Sequence, residues 1–163
     1  MNKLIPVALL SSVFSMSAMA AESGPLLKKD DFSVGVGIAQ NSIDLPPGAS
    51  GDDNEIGFQF FGAYDLDKVN LMDGVNTSIE FGYMDYGFDG GNSGGVWVTG
   101  VVDGAIQGNF GWLGRLGFDL GDDDGPMFGA GVSYKLNSKT ELRGEYVIRD
   151  NIDSLQVNLA YHL

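Results

Sequence analysis

Three glutamates and two arginines are the residues of this sequence best suited to forming a buried polar site: Glu80, Arg115, Glu141, Arg143 and Glu145. Each lies in a segment where apolar and polar residues alternate, which is the period of a β-strand, and each falls on the polar face of its segment. Buried charges are costly unless they are paired and hydrogen-bonded. We therefore predict that these five residues form one charge-paired network inside the protein.

Catalytic chemistry has little support in the sequence. There is one histidine and no cysteine, which removes most nucleophilic and zinc-dependent schemes. His162 shares a strand face with Asn158 and Ala160, so the strand shows no histidine grouped with a serine and a carboxylate. We predict no catalytic residue, no cofactor and no enzymatic activity.

The acidic run Asp122, Asp123 and Asp124 suggests calcium, but the spacing of a calcium loop is broken by Leu120 and no glutamate closes it. The alternative is an ordinary acidic surface loop, and this is the interpretation we adopt. No metal site is predicted, although weak bridging of divalent cations by these loops stays open.

The N-terminus is typical of exported proteins. Lys3, an apolar run over 4–14 and the small-residue sequence Ala18-Met19-Ala20 predict a secretory signal peptide over 1–20, cleaved after Ala20. Residues 21–30 are then a polar periplasmic leader, and 31–163 form a single domain. Without cysteine the mature protein has neither disulfides nor a lipid-attachment site.

The rest of the chain alternates with a period of two and contains 25 glycines and 18 aromatic residues, which favours short strands joined by tight turns. Trp97 and Val101 would both join the polar face of their strand, so its register is the least defined. The eight predicted strands are 32–39, 55–64, 77–86, 96–106, 110–119, 128–136, 140–149 and 154–163.

Alternation alone does not say which face meets water, but the composition of the two faces does. One face has no charged residue and has aromatic residues towards the strand ends, as at the two membrane interfaces. The other combines Gly, Ala and Ser with ten charges, which suits the crowded lumen of a narrow barrel. This predicts an all-β, eight-stranded antiparallel up-and-down transmembrane β-barrel. A soluble lipocalin-like periplasmic barrel that binds an apolar ligand, with the faces reversed, is the alternative. The ten charges are Glu55, Glu80, Asp103, Arg115, Asp119, Lys135, Glu141, Arg143, Glu145 and Arg149.

A family resemblance is carried by particular segments. Residues 116–163, and above all FGAGVSYKLNSKTELRGEYVIRDNIDSLQVNLAYHL over 128–163, resemble the last three strands of the OmpA-like eight-stranded outer-membrane barrels of Gram-negative bacteria. FGAY at 61–64 and IEFGY at 79–83 resemble the second and third strands. The resemblance implies a porin-family barrel in the outer membrane, without the peptidoglycan-binding domain of longer members. It also implies an assembly signal at the C-terminus, where Tyr161 matches the family and Leu163 replaces the usual aromatic residue.

Eight strands enclose an interior that side chains can fill. We therefore predict a plugged, charge-paired lumen and a structural, membrane-integrity or surface-interaction role. A narrow, weakly cation-selective porin-like channel is the alternative. The expected partners are outer-membrane lipid, lipopolysaccharide, and the barrel-assembly and periplasmic chaperone machinery. A net charge of −13 argues against binding nucleic acid, and a monomer is expected.

Overall fold

The structure is a computed structural model in which a short 3-10 helix, Lys29–Asp31, leads into eight β-strands. The predicted signal peptide and most of the predicted leader lie outside the residues that it describes. Within the described part of the chain, no helix has the length and apolar character needed to cross a membrane. The described residues are 28–43, 54–66, 69, 71–88 and 93–163.

Each strand pairs antiparallel with the next, and β1 pairs with β8, which closes the sheet into a barrel. The strands contain 9 to 14 residues, and the roughly 9–11 residues of a transmembrane β-strand fall within that range. This confirms the predicted fold class, an eight-stranded up-and-down transmembrane β-barrel. The strands are β1 Phe32–Ile43, β2 Asn54–Asp65, β3 Val75–Asp85, β4 Gly94–Gln107, β5 Phe110–Asp119, β6 Gly125–Lys135, β7 Thr140–Ile148 and β8 Ile152–His162.

The two ends of the barrel differ in their connections. We call the end where β1 begins and β8 ends the terminal end, and the opposite one the loop end. Gly108, with a φ of 59°, lies in the two-residue connection between β4 and β5, where a positive φ favours glycine. The terminal end has the connections 66–74, 108–109 and 136–139, and the loop end has 44–53, 86–93, 120–124 and 149–151.

Five strands extend further towards the loop end than predicted: β1, β2, β4, β6 and β8. β1 continues to Ile43, because Asn41 pairs with Glu55 of β2 and with Ser154 of β8. β6 begins at Gly125, three residues before its predicted start at residue 128. The fourth connection of the loop end has three residues, one fewer than predicted. The polar lumen therefore extends further towards the loops.

The apolar faces of the strands point outwards. Ile56 is 67% exposed and Leu116 is 60% exposed, whereas Glu80 and Arg115 are buried in the lumen. On β4, Trp97 and Val101 do point inwards with the polar residues. The soluble-barrel alternative requires an apolar interior and a polar exterior, so it is wrong for this structure.

The lumen also contains large apolar side chains, a feature that the sequence indicated for Trp97 and Val101 and that the structure extends to other strands. The rings of Phe61 and Trp97 lie 6.0 Å apart, between centroids, inside the barrel. A Cβ atom added to Gly82 would lie 2.6 Å from the Trp97 ring, so the glycine makes room for the indole. Small residues on the lumen face therefore serve to accommodate bulky neighbours. Met84, Met127 and Val147 belong to the same buried cluster.

Candidate functional site

The five charged residues singled out in the sequence all point into the lumen. β3 contributes Glu80, β5 contributes Arg115, and β7 contributes Glu141, Arg143 and Glu145, spaced two apart so that all three face inwards. All five are buried. The structure brings the complete set together.

These residues form a continuous series of ion pairs. Arg115 Nη2 lies 2.5 Å from Glu145 Oε2 and 3.2 Å from Glu80 Oε2. Arg143 Nη1 lies 2.5 Å from Glu80 Oε1, and its Nε lies 2.8 Å from Glu141 Oε1. The order is Glu141, Arg143, Glu80, Arg115, Glu145, and we call this set the ion-pair chain.

Amide side chains extend the ion-pair chain to two more strands. Asn158 Nδ2 of β8 donates a hydrogen bond to Glu145 Oε1 at 2.8 Å. Gln59 Nε2 of β2 donates to Asn158 Oδ1 at 2.6 Å. With these residues the polar network links β2, β3, β5, β7 and β8. It therefore crosses the lumen.

An aromatic ring supports the central arginine. The guanidinium carbon of Arg115 lies 5.4 Å from the centre of the Trp97 ring, within cation–π distance. In the described protein Arg115 Nε and Nη1 have no hydrogen-bond partner, so two carboxylates and the indole provide its stabilising contacts. In the sequence, the signal for Trp97 is indirect, because it is only the position of this residue on the polar face of its strand.

A second polar cluster lies at the loop end, and we call it the Arg149 ring. Asp119 Oδ2 accepts hydrogen bonds from Tyr86 Oη at 2.5 Å and Arg149 Nε at 3.0 Å. Arg149 Nη1 donates to Ser154 Oγ at 2.6 Å, and that hydroxyl donates to Asn41 Oδ1 at 2.5 Å. Asn41 Nδ2 then donates to the Tyr86 carbonyl oxygen at 2.8 Å, which closes the ring.

Two members of this ring were predicted from the sequence only as lumen charges. Asp119 and Arg149 lie at strand ends on the polar face, where no partner could be assigned. Asn41 lies beyond the predicted end of its strand, and Tyr86 lies just beyond β3. Burial, and then the hydrogen bond to Asp119, raise the pKa of the Tyr86 hydroxyl, so it remains a neutral donor.

His162 has a partner on the neighbouring strand. Its Nδ1 lies 2.7 Å from Ser33 Oγ of β1, a contact that β8 alone could not reveal. Within the described residues, no carboxylate forms an ion pair with this imidazole. His162 borders a polar cavity of about 200 Å³ at the terminal end, whose lining also includes Asp65, Asp103, Lys135 and Arg143.

The residues of the predicted assembly signal lie at the terminal end. Tyr161 points outwards and pairs with Thr140 and Val34 of the adjacent strands. Lys139 Nζ lies 5.7 Å from the centre of the Tyr161 ring. The amide of Leu163 donates a hydrogen bond to the carbonyl of Phe32 at 3.0 Å.

The interpretation of Asp123 as part of an ordinary acidic surface loop is wrong. Asp123 is buried, and its two carboxylate oxygens accept hydrogen bonds from the backbone amides of Asn151 and Ile152 at 2.8 and 2.9 Å. It therefore ties the third connection of the loop end to the fourth. In the described part of the chain, no group of three or more His, Cys, Asp or Glu side chains is arranged to hold a metal ion.

No protein-family model matches the sequence, and no curated protein sequence matches it either. Solved structures do share its architecture. A de novo designed transmembrane β-barrel is 17% identical with a TM-score of 0.57, over 83% of this chain and 98% of that one. Ail, the attachment invasion locus protein of Yersinia pestis, is 17% identical with a TM-score of 0.53, over 79% and 94%. Neisserial surface protein A is 12% identical with a TM-score of 0.54, over 82% and 97%. At these identities the likeness shows the fold.

Proposed function

We propose that this protein is a small, monomeric, non-enzymatic barrel of the bacterial outer membrane, with a plugged lumen and a structural, membrane-integrity or surface-interaction role. The observation that carries the proposal is an apolar exterior around a lumen crossed by buried ion pairs. A soluble monomer rarely exposes apolar patches beyond a few hundred Å². Here every strand contributes exposed apolar side chains, such as Val36, Ile56, Ile79, Val98, Leu116, Val132, Ile148 and Leu155.

The proposed orientation puts the terminal end in the periplasm and the loop end outside. This orientation rests on the predicted signal peptide over 1–20, and on the fact that β1 begins and β8 ends at the same end of the barrel. Outer-membrane lipid and lipopolysaccharide surround the barrel in this proposal. In this proposal periplasmic chaperones and the barrel-assembly machinery deliver the protein, and Tyr161 is part of the assembly signal that the machinery recognises.

The ion-pair chain supports a plugged lumen over a channel. Breaking a buried ion pair by removing one partner costs about 3–5 kcal/mol. The ion-pair chain contains four such contacts, and an open pathway for ions would have to rearrange them. Phe61 and Trp97 fill lumen volume beside Arg115. A narrow cation-selective channel would require the ion-pair chain and these two aromatic side chains to move together.

The loop end limits which ligands a surface-interaction role could involve. Ail was solved in complex with sucrose octasulfate, a heparin analogue and a polyanion. In this chain the four loop-end segments contain eight aspartates and one basic residue, Arg149, which is buried. Like charges repel, so the proposed role does not include binding of sulfated polyanions.

Cell fractionation tests the membrane assignment. The full sequence is expressed in a Gram-negative host, and we expect the protein in the outer-membrane fraction, solubilised only by detergent. We also expect the folded barrel to migrate differently from the heated protein on a detergent gel. Recovery from the periplasmic extract without detergent would overturn the proposal.

A further inference from the structure

The Arg149 ring crosses the lumen at a level of its own. Asn41 lies on β1, Asp119 ends β5, and Ser154 lies on β8, while Tyr86 and Arg149 directly follow β3 and β7. β1 and β5 lie opposite each other in an eight-stranded barrel, so hydrogen bonds linking these residues extend from wall to wall. All five residues are buried.

Apolar side chains pack next to this ring. Met84 Sδ lies 3.5 Å from Arg149 Nη2. Met127 and Val147 are fully buried on the lumen faces of β6 and β7 and belong to the same hydrophobic cluster as Tyr86. The ring and these side chains are therefore neighbours in the lumen at the loop end.

The ring and the ion-pair chain are separate networks. They share no residue, and Gln156 lies between them on the lumen face of β8, two positions from Ser154 in the ring and two from Asn158 beside the chain. Gln156 is fully buried, yet neither atom of its amide has a hydrogen-bond partner in the described protein. Side-chain hydrogen bonding along the lumen face of β8 is therefore interrupted at Gln156.

We propose that the lumen has two independent closures in series: the Arg149 ring towards the loops and the ion-pair chain towards the terminal end. Gln156 occupies the segment between them. Opening either closure alone connects the part of the lumen around Gln156 to only one end of the barrel, so the barrel stays impermeable. This inference rests on the proposed plugged lumen and adds that no single rearrangement can open it.

The natural sequence has no cysteine, so a single Gln156→Cys substitution reports access to the segment between the closures. The probe is a charged, membrane-impermeant methanethiosulfonate reagent. Asp124→Cys, on the exposed part of the third loop-end connection, measures the rate for a freely accessible thiol. We expect Gln156→Cys to react at least about a hundredfold more slowly than Asp124→Cys, in intact cells and in detergent.

Each closure is then removed as a charge-neutral pair in the Gln156→Cys background. Asp119→Ala with Arg149→Ala opens the ring, and we expect labelling at least about tenfold faster in intact cells, where the reagent arrives from the loop side. Glu80→Ala with Arg115→Ala opens the ion-pair chain, and we expect faster labelling only in detergent, where both mouths are accessible.

Several results would overturn two closures in series. The proposal is wrong if Gln156→Cys is labelled as fast as Asp124→Cys, and this comparison needs no further variant. Faster labelling in intact cells after opening only the ion-pair chain would overturn it as well, as would unchanged labelling of a folded ring variant. If the charged ring pair does not fold, Asn41→Ala with Ser154→Ala opens the ring without touching a charge.

Potassium efflux from liposomes separates failure of this inference from failure of the proposed plugged lumen. Efflux through the unsubstituted barrel contradicts the plugged lumen itself. An unsubstituted barrel without efflux, combined with efflux after removal of one pair alone, contradicts only the second closure. We expect efflux only when both pairs are removed together.

Discussion

Glu80 of β3 and Arg115 of β5 face each other inside the barrel, with 3.2 Å between Glu80 Oε2 and Arg115 Nη2, and the other oxygen of Glu80 binds Arg143. Among the described ion pairs, Glu80 is the carboxylate that joins both arginines of the ion-pair chain. Its loss would divide the chain into two fragments, whereas loss of either end residue would only shorten it.

Replacing Glu80 with Gln is therefore expected to reduce the free energy of unfolding by about 3–5 kcal/mol, because it leaves two arginines under-compensated in a buried site. Glu141→Gln is the matched change at the end of the chain, where Arg143 keeps its contact with Glu80. We expect a clearly smaller loss there. Urea-induced unfolding of both variants in lipid vesicles measures the difference, and equal losses would contradict the bridging role of Glu80.

Close packing of Trp97 over Gly82 leads to a second prediction. A Cβ at Gly82 would lie 2.6 Å from the indole, so Gly82→Ala is expected to cost about 1–3 kcal/mol through overpacking. Gly100→Ala is the control, since the nearest atom to its added Cβ is 3.9 Å away, and we expect a change within about 0.5 kcal/mol. The same unfolding assay compares them. A neutral Gly82→Ala would show that the lumen is less tightly packed than described.

Asp123 gives a prediction about local opening at the loop end. Asp123→Ala removes the acceptors of the Asn151 and Ile152 amides. We expect both amides to exchange with deuterium at least about tenfold faster, equivalent to about 1.4 kcal/mol of local stability. The neighbouring Asp124 is exposed, so Asp124→Ala should leave the exchange of both amides unchanged. If the two amides exchange equally slowly in both variants, Asp123 does not stabilise this end of the barrel through its hydrogen bonds to them.

The charge of the loop end predicts the outcome of a binding experiment. Sucrose octasulfate is titrated into the refolded barrel in nanodiscs, and we expect no saturable binding at near-physiological ionic strength. The reason is the repulsion between the sulfates and the aspartates of the loop-end connections. Saturable binding at micromolar concentration would show that the acidic loop end does not determine which ligands this surface accepts.

The fold could be predicted from sequence because a strand period of two separates lumen residues from lipid-facing residues without any knowledge of long-range contacts. The same parity identified the inward orientation of Glu80 and Arg115. It could not predict which charges pair, because that depends on strand stagger and on the heights at which side chains meet. Arg149 illustrates this limit, since its partner Asp119 lies 30 positions away in the sequence.

The sequence was a weaker guide to the apolar lumen and to the loops. Glycines on the polar face suggested a lumen of small residues, but Gly82 is small because Trp97 covers it. Asp123 stands in a run of three aspartates that looks solvated, and only the position of Asn151 shows that it is a buried cap. Both errors arise from contacts between segments that the local pattern does not contain.

Planar-bilayer recording of the refolded, unsubstituted protein tests the plugged lumen most directly. The account predicts no steady conductance across a range of voltages, because in the proposed plugged lumen the ion-pair chain and the apolar side chains leave no path for ions. Steady openings whose ion selectivity changes in Arg115→Ala would contradict it, since they would show that ions pass the guanidinium in the native barrel.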